Sequence, residues 1–107
     1  MISQLYLTGR LNSEPEIAQT KKGRTYARIL LETEQIRSGP NGSQSETITL
    51  PVVLFSRQAE AIQSSRKGDT VTIRCHLNGT RFETLDGTVK HGVQLIADTV
   101  LWEGHAS

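Results

Sequence analysis

Residues 47–55, Thr-Ile-Thr-Leu-Pro-Val-Val-Leu-Phe, constrain this chain more than any other stretch. Ile48, Leu50, Val52 and Leu54 recur at a period of two, the spacing of a strand with one side against a core. Thr49, Pro51, Val53 and Phe55 fall on the other side. A face of Thr and Val ending in an aromatic is more apolar than solvation requires. A ligand surface is therefore sought there.

The flanking chain repeats the pattern. Leu5, Leu7, Gly9 and Leu11 alternate with Tyr6, Thr8 and Arg10, predicting a first strand over residues 3–12. Asn12-Ser13-Glu14-Pro15 stops it, because proline has no N–H to offer a ladder. Residues 16–19 read as a loop or short irregular strand, and residues 20–23 as a polar turn in which Gly23 supplies a positive φ. A second strand is expected over residues 24–36, with Thr25, Ala27, Ile29 and Leu31 inward and Arg24, Tyr26, Arg28 and Glu32 outward. Residues 37–46 contain no apolar side chain and read as an exposed, mobile hairpin loop.

Beyond Phe55, Ser56 is placed to cap a helix over residues 57–67. Ala59, Ala61 and Ile62 form its buried side, Arg66 and Lys67 suit its C-terminal dipole, and Gly68 suits the left-handed residue after it. Val71, Ile73, Cys75 and Leu77 are expected inward on a fourth strand, with Thr70, Thr72, Arg74 and His76 outward. A second loop over residues 78–88 carries Arg81 and Phe82 and turns at Asp86-Gly87. A fifth strand is expected over residues 89–102. The domain organisation is one domain over residues 1–102 and a short flexible tail over residues 103–107.

Five strands with a helix between the third and fourth is the order of an all-β OB-fold, a five-stranded, partly open Greek-key barrel. Other small barrels share that order. At 107 residues a single core needs no disulfide. The lone Cys75 has no intramolecular partner, which suits a reducing, cytoplasmic setting. No apolar run approaches the ~20 residues that span a bilayer, so no membrane association is expected.

Catalytic constellations are missing from the pattern. Cys75 and His76 point to opposite faces of one strand, His91 and His105 lack a second ligand at metal spacing, and no glycine loop is built for phosphate. Neither enzyme activity nor a metal or cofactor is expected. A net charge of +1 makes the placing of charge more informative than its sum. In an OB-fold the ligand surface is the face of the second and third strands with the loops after the first and fourth. Lys21, Lys22 and Arg24 lie in or beside the first loop, Arg28 on the outer face of the second strand and Arg37 at its end, and Phe55 at the end of the third. Arg74 faces outward on the fourth strand, and Arg81 with Phe82 occupies the second loop. Cations that track phosphates, interleaved with rings that stack on unpaired bases, make a single-stranded nucleic-acid platform. The plainer readings stand beside it: Phe55 as core, Lys21-Lys22 as a solvated turn, Tyr6 and Trp102 as packing or subunit-contact residues. A protein-interaction module of a replication complex and an RNA-binding OB-fold stay open at this point.

With these residues placed, the chain resembles the bacterial single-stranded DNA-binding protein (SSB) family over residues 4–101. The likeness rests on Leu5-Tyr6-Leu7-Thr8-Gly9-Arg10-Leu11, Glu14-Pro15-Glu16-Ile17, Ala27-Arg28-Ile29-Leu30-Leu31-Glu32-Thr33 and Val52-Val53-Leu54-Phe55. Ala59-Glu60, Arg66-Lys67-Gly68-Asp69 and Val71-Thr72-Ile73 extend it. The resemblance implies that Phe55 and Phe82 occupy base-stacking positions. Two further stacking positions fall on Arg37, which offers a cation–π or phosphate contact, and on Thr49, which has no ring. Leu31-Glu32, Leu50-Pro51-Val52 and Arg57-Gln58-Ala59-Glu60 before Lys67-Gly68-Asp69 also resemble a tailless relative, the primosomal replication protein N (PriB). The sequence ends at Ser107 without the family's usual acidic, Phe-terminated tail, as that relative does. Either likeness implies sequence-independent binding of single-stranded DNA in replication or its restart, by a homodimer or homotetramer. A replication helicase or primosome component is the implied protein partner.

Overall fold

A computed structural model describes residues 4–105. Among them the chain runs β1 (Leu5–Leu11), β2 (Glu16–Gln19), β3 (Thr25–Gly39), β4 (Gly42–Phe55), α1 (Arg57–Ile62), β5 (Thr70–Glu83) and β6 (Val89–Gly104). The strands follow the order β1-β5-β6-β4-β3-β2, and a β1–β3 pairing at Arg10 and Leu11 closes β1, β5, β6, β4 and β3 into a ring. One pairing in the ring is parallel, Val52 with Leu95 and Val53 with Ile96 between β4 and β6. This is the OB-fold expected from the strand order, with β2 added along the outer edge of β3.

The alternating residues meet inside the ring. Leu11, Ala27, Ile29, Leu31, Val52, Leu54, Val71, Ile73 and Ala97 are buried together, and Ala59 and Ile62 of α1 plug the open end. Cys75 is buried as its inward position requires, and burial followed by the charge of Asp98 pushes its thiol up. Gly9 permits the closure: a Cβ there would lie 2.2 Å from the Glu32 carbonyl oxygen, where β1 crosses β3.

Both expected loops are strands instead. β3 and β4 stay in register without interruption from Tyr26↔Phe55 to Gly39↔Gly42, so residues 37–46 are the end of a ribbon and not the loop expected. Pro40 presets the turn and Gly42 closes it at φ 102°. Likewise β5 and β6 pair out to Glu83↔Val89, leaving only residues 84–88 as a turn. Its tip is braced by Asp86, which accepts the Thr84 hydroxyl and the Thr88 N–H; these bonds hold its carboxyl down at about 2. The radius of gyration, 15.9 Å against about 13 Å for a compact chain of this size, reflects the two projecting ribbons. Leu77, expected inward, is exposed because β5 has left the ring by that point.

The helix differs as well. It ends at Ile62, five residues early, and Ala61 is exposed. Ser56 sits at φ 50° and makes no cap; its hydroxyl accepts the Nε–H of Arg24. Arg66 and Lys67 lie in the connection to β5, where Asp69 accepts the Arg66 N–H and competes with helical continuation. Gly68 takes φ 92° and donates its N–H to Leu11, away from the helix end. The expected flexible tail begins in strand: Gly104 and Glu103 pair with Thr70 and Val71. Glu103 accepts the Ser65 hydroxyl, and the His105 ring lies 3.0 Å from the Asp69 carboxylate. Residues 1–3, including the expected start of the first strand, and residues 106–107 lie outside the described residues.

Candidate nucleic-acid interface

Strand alternation places Arg24, Tyr26 and Arg28 before and along the outer face of β3, and Pro51, Val53 and Phe55 on the same face of β4. Phe55 lies directly opposite Tyr26, with the ring centroids 6.3 Å apart and the planes tilted by 47°. The guanidinium carbon of Arg24 stands 4.3 Å from the Phe55 centroid. Phe55 is half-buried: it is neither core nor fully presented. The turn between β2 and β3 brings Lys21 to the rim, with Lys22 exposed beside it. Lys21, Tyr26, Arg28, Val53, Phe55 and Gln94 line a shallow concavity of about 560 Å³.

A second hollow of about 270 Å³ adjoins it, sharing Arg28, Val53 and Gln94 and reaching Thr80 on β5. The outer surface therefore runs from β3 and β4 across β6 onto the β5–β6 ribbon. Along β5 the same face carries Asn78, Thr80 and Phe82, opposite Gln94, Gly92 and Lys90. A Cβ on Gly92 would lie 2.8 Å from the Thr80 hydroxyl, so the two stand on one side. Phe82, 53% exposed, ends this track with Lys90 across from it.

Not every expected site residue joins the track. Arg81 precedes Phe82 on a strand, so it projects to the opposite face, across from His91. Arg37 shares its face of β3 with Leu31 and Gln35, not with Arg28, and its Nε lies 3.4 Å from Glu46. Both groups of that pair are exposed, so the pairing holds the arginine weakly. Arg74 lies further down β5, past the 2.8 Å contact of His76 with Asp98. It pairs with Tyr6 and Thr99, and its Nη2 donates to the Thr99 hydroxyl. Thr49 is exposed on the outer face without a ring, opposite Glu32. Phe55, Arg24, Arg28, Lys21 and Lys22 are thus brought together, with Phe82 at the far end.

Two members of the track were missed by sequence reasoning. Tyr26 reads as outward from alternation alone, and only Arg24 and Arg28, which flank it at a spacing of two, mark it as a site residue. Lys90 becomes visible by counting outward from the turn at Asp86, since Phe82 and Lys90 each lie four residues away. Among the described residues, no three His, Cys, Asp or Glu side chains converge on a metal-sized site, and no helix is long and apolar enough to cross a membrane.

The sequence profile of the family described as "Single-strand binding protein family" matches residues 2–102. The single-stranded DNA-binding protein of Xanthomonas axonopodis pv. citri is 28% identical over 99 residues, covering 91% of this chain and 55% of that protein. That of Xylella fastidiosa is 29% identical over 108 residues, covering 99% of this chain and 66% of that protein. The chain thus spans between about half and two thirds of these relatives. Among solved structures, a deletion variant of the single-stranded DNA binding protein from Thermus aquaticus superposes with a TM-score of 0.81 at 23% identity. It is covered to 49%, and this chain to 92%. A Plasmodium falciparum SSB complex with ssDNA gives 0.74 at 23% identity, covering 90% of this chain and 86% of that one. At that identity the two structures establish the fold.

Proposed function

The chain belongs to the single-strand binding protein family, and from that premise we propose that it binds single-stranded DNA with little regard to sequence. One observation carries the reading: Tyr26, Arg28 and Phe55 share the outer face of β3 and β4, with Arg24 over Phe55 and Lys21 at the rim, and the track passes Thr80 to Phe82 and Lys90 on the β5–β6 ribbon. Stacking on rings is indifferent to base identity, because every base offers a π face. Lysines and arginines beside those rings neutralise the phosphates between successive bases. The names of the curated relatives and the bound ligand of the Plasmodium falciparum structure support the same ligand class. DNA replication or its restart in a reducing cytoplasm is the setting that fits, with Cys75 kept as a buried thiol.

Self-association belongs to the proposal. β1 pairs with β5 along its length but with β3 only at Arg10 and Leu11. Its other edge pairs with no strand from Leu5 to Leu7 among the described residues, and Tyr6 stands beside it largely exposed. An open edge of this kind suits pairing with a second copy, as a homodimer or as half of a homotetramer.

The deciding experiment is anisotropy of a labelled oligo-dT titrated with the protein at several salt concentrations. A label on the DNA is preferable to intrinsic fluorescence, because Trp102 lies at the opposite end of β6 from Lys90. Binding should weaken with salt at a slope of about −0.7 per phosphate neutralised. No binding at low salt would sink the DNA reading and leave a protein-interaction module. Tighter binding of a matched RNA would redirect it to RNA. The particle mass with and without oligo-dT reports the oligomer in the same samples.

A further inference from the structure

The ring of Phe55 is not bare. A base approaching the face on which Arg24 lies meets the guanidinium first, its carbon 4.3 Å from the ring centroid. Three contacts keep Arg24 there. Its backbone N–H donates to the Thr20 hydroxyl at 3.1 Å, and its carbonyl accepts the Thr20 N–H at 2.8 Å. Its side-chain Nε–H donates to the Ser56 hydroxyl at 3.2 Å. Ser56 takes φ 50°, a left-handed conformation that a residue other than glycine adopts at a cost. Its N–H bonds the Thr25 carbonyl, so the strained turn is held against the start of β3. The strain that forfeits a helix cap is what brings the hydroxyl to Arg24.

We infer that Arg24 itself is the surface on which a nucleobase stacks, its guanidinium layered between the base and Phe55. This rests on the single-stranded DNA reading and assigns Arg24 a role other than phosphate neutralisation. A guanidinium is planar, weakly hydrated and delocalised, so it stacks on an aromatic ring with one face and on a base with the other. Arg24 is exposed, which leaves its outward face open to a base. Direct stacking on that face of Phe55 would require the cation–π contact and the Ser56 bond to break first. Layering keeps both. Phosphate charge is met from the sides by Lys21 and Arg28, which line the concavity beside Phe55.

Three variants separate this arrangement from its competitors in the oligo-dT titration. Arg24→Ala should weaken binding by about ten-fold, the equivalent of one lost stack. Arg24→Lys keeps the charge and loses the plane, so it should also weaken binding several-fold with the salt slope unchanged. The double variant Arg24→Ala, Phe55→Ala should bind no more weakly than the weaker single variant, because the two groups form one stack. Tighter binding by Arg24→Ala would mean that the arginine gates the ring, and would overturn the inference. Parent-like binding by Arg24→Lys would reduce Arg24 to a charge and overturn it as well. Fully additive losses in the double variant would also count against layering. If the parent chain binds no oligo-dT, the inference falls together with the reading it rests on; if the parent binds and the variants behave otherwise, it falls alone.

Discussion

Phe55 and Phe82 present the same side chain from two different kinds of support. Phe55 sits where β4 is still part of the closed ring, with Leu54 buried beside it in sequence, Tyr26 across the ladder and Arg24 over its face. Phe82 sits on a ribbon that has left the ring, more than half exposed, with Lys90 as its cross-strand neighbour. Gly9 of the ring and Gly79 of the ribbon show the same contrast. A Cβ on Gly9 would strike the Glu32 backbone, whereas one on Gly79 would meet nothing within 4 Å. In the ring, each group is held by neighbours on several sides. On the ribbon it is held by one partner strand. On the proposed reading, a ring held in place would lose little freedom when a base arrives, while a ribbon could adjust its own position to the DNA path.

The contrast is open to test, beginning with the largest effect. Gly9→Ala should destabilise the fold by about 1–3 kcal/mol, because a backbone carbonyl must give way, whereas Gly79→Ala should change stability by less than about 0.5 kcal/mol. Thermal melts of the two variants check this, and equal melting midpoints would erase the distinction between ring and ribbon. Next come the phenylalanines. Phe55→Ala and Phe82→Ala should each cost about 1–3 kcal/mol in oligo-dT binding, with Phe55→Ala the more severe because Arg24 loses its support. Only Phe55→Ala should also lower the melting midpoint. A Phe82→Ala variant that binds like the parent would confine the platform to the ring.

Smaller effects sharpen the edges of the comparison. Lys90→Ala should make the salt dependence shallower by about 0.7 in slope, with unchanged stability; an unchanged slope would remove the ribbon from the phosphate path. The smallest effect belongs to the end of β6. The hydrogen bond to Asp69, then its charge, raises His105 above its ordinary value. A raised folded value means that this contribution is fully present below the unfolded pKa, near 6.5, and is lost as pH rises through the folded one. His105→Ala should therefore flatten the pH dependence of the melting midpoint in that window, with DNA binding untouched.

Much of this arrangement was legible wherever one side of a strand is buried. Burial of alternate residues leaves a period of two in the sequence, which is why Ala27, Ile29, Leu31, Val52, Leu54, Val71 and Ile73 were readable as core. The ribbons escaped notice for the same reason. Both faces of residues 37–46 meet solvent, so selection of apolar residues leaves no period there, and backbone pairing alone holds the strands. Their turn residues did carry the register. Pairing outward from Pro40-Asn41 sets Tyr26 against Phe55, and pairing outward from Asp86 sets Lys90 against Phe82. Arg37 and Arg81 show what type and rough position leave undecided, since one residue along a strand reverses the face, while Arg74 faces outward as expected but lies too far along β5 to join the track.

From the amino-acid order alone came the core set, the strand order of an OB-fold and two aromatic residues suited to unpaired bases. Those depend on local alternation and on chemistry that each residue carries with it. The tertiary structure decided which cations share a face with those rings, that Ser56 serves Arg24 and not the helix, and that an arginine covers Phe55. Such contacts join residues far apart in the chain, as Arg24 and Ser56 are, and closure of the ring and the strained backbone at Ser56 create them.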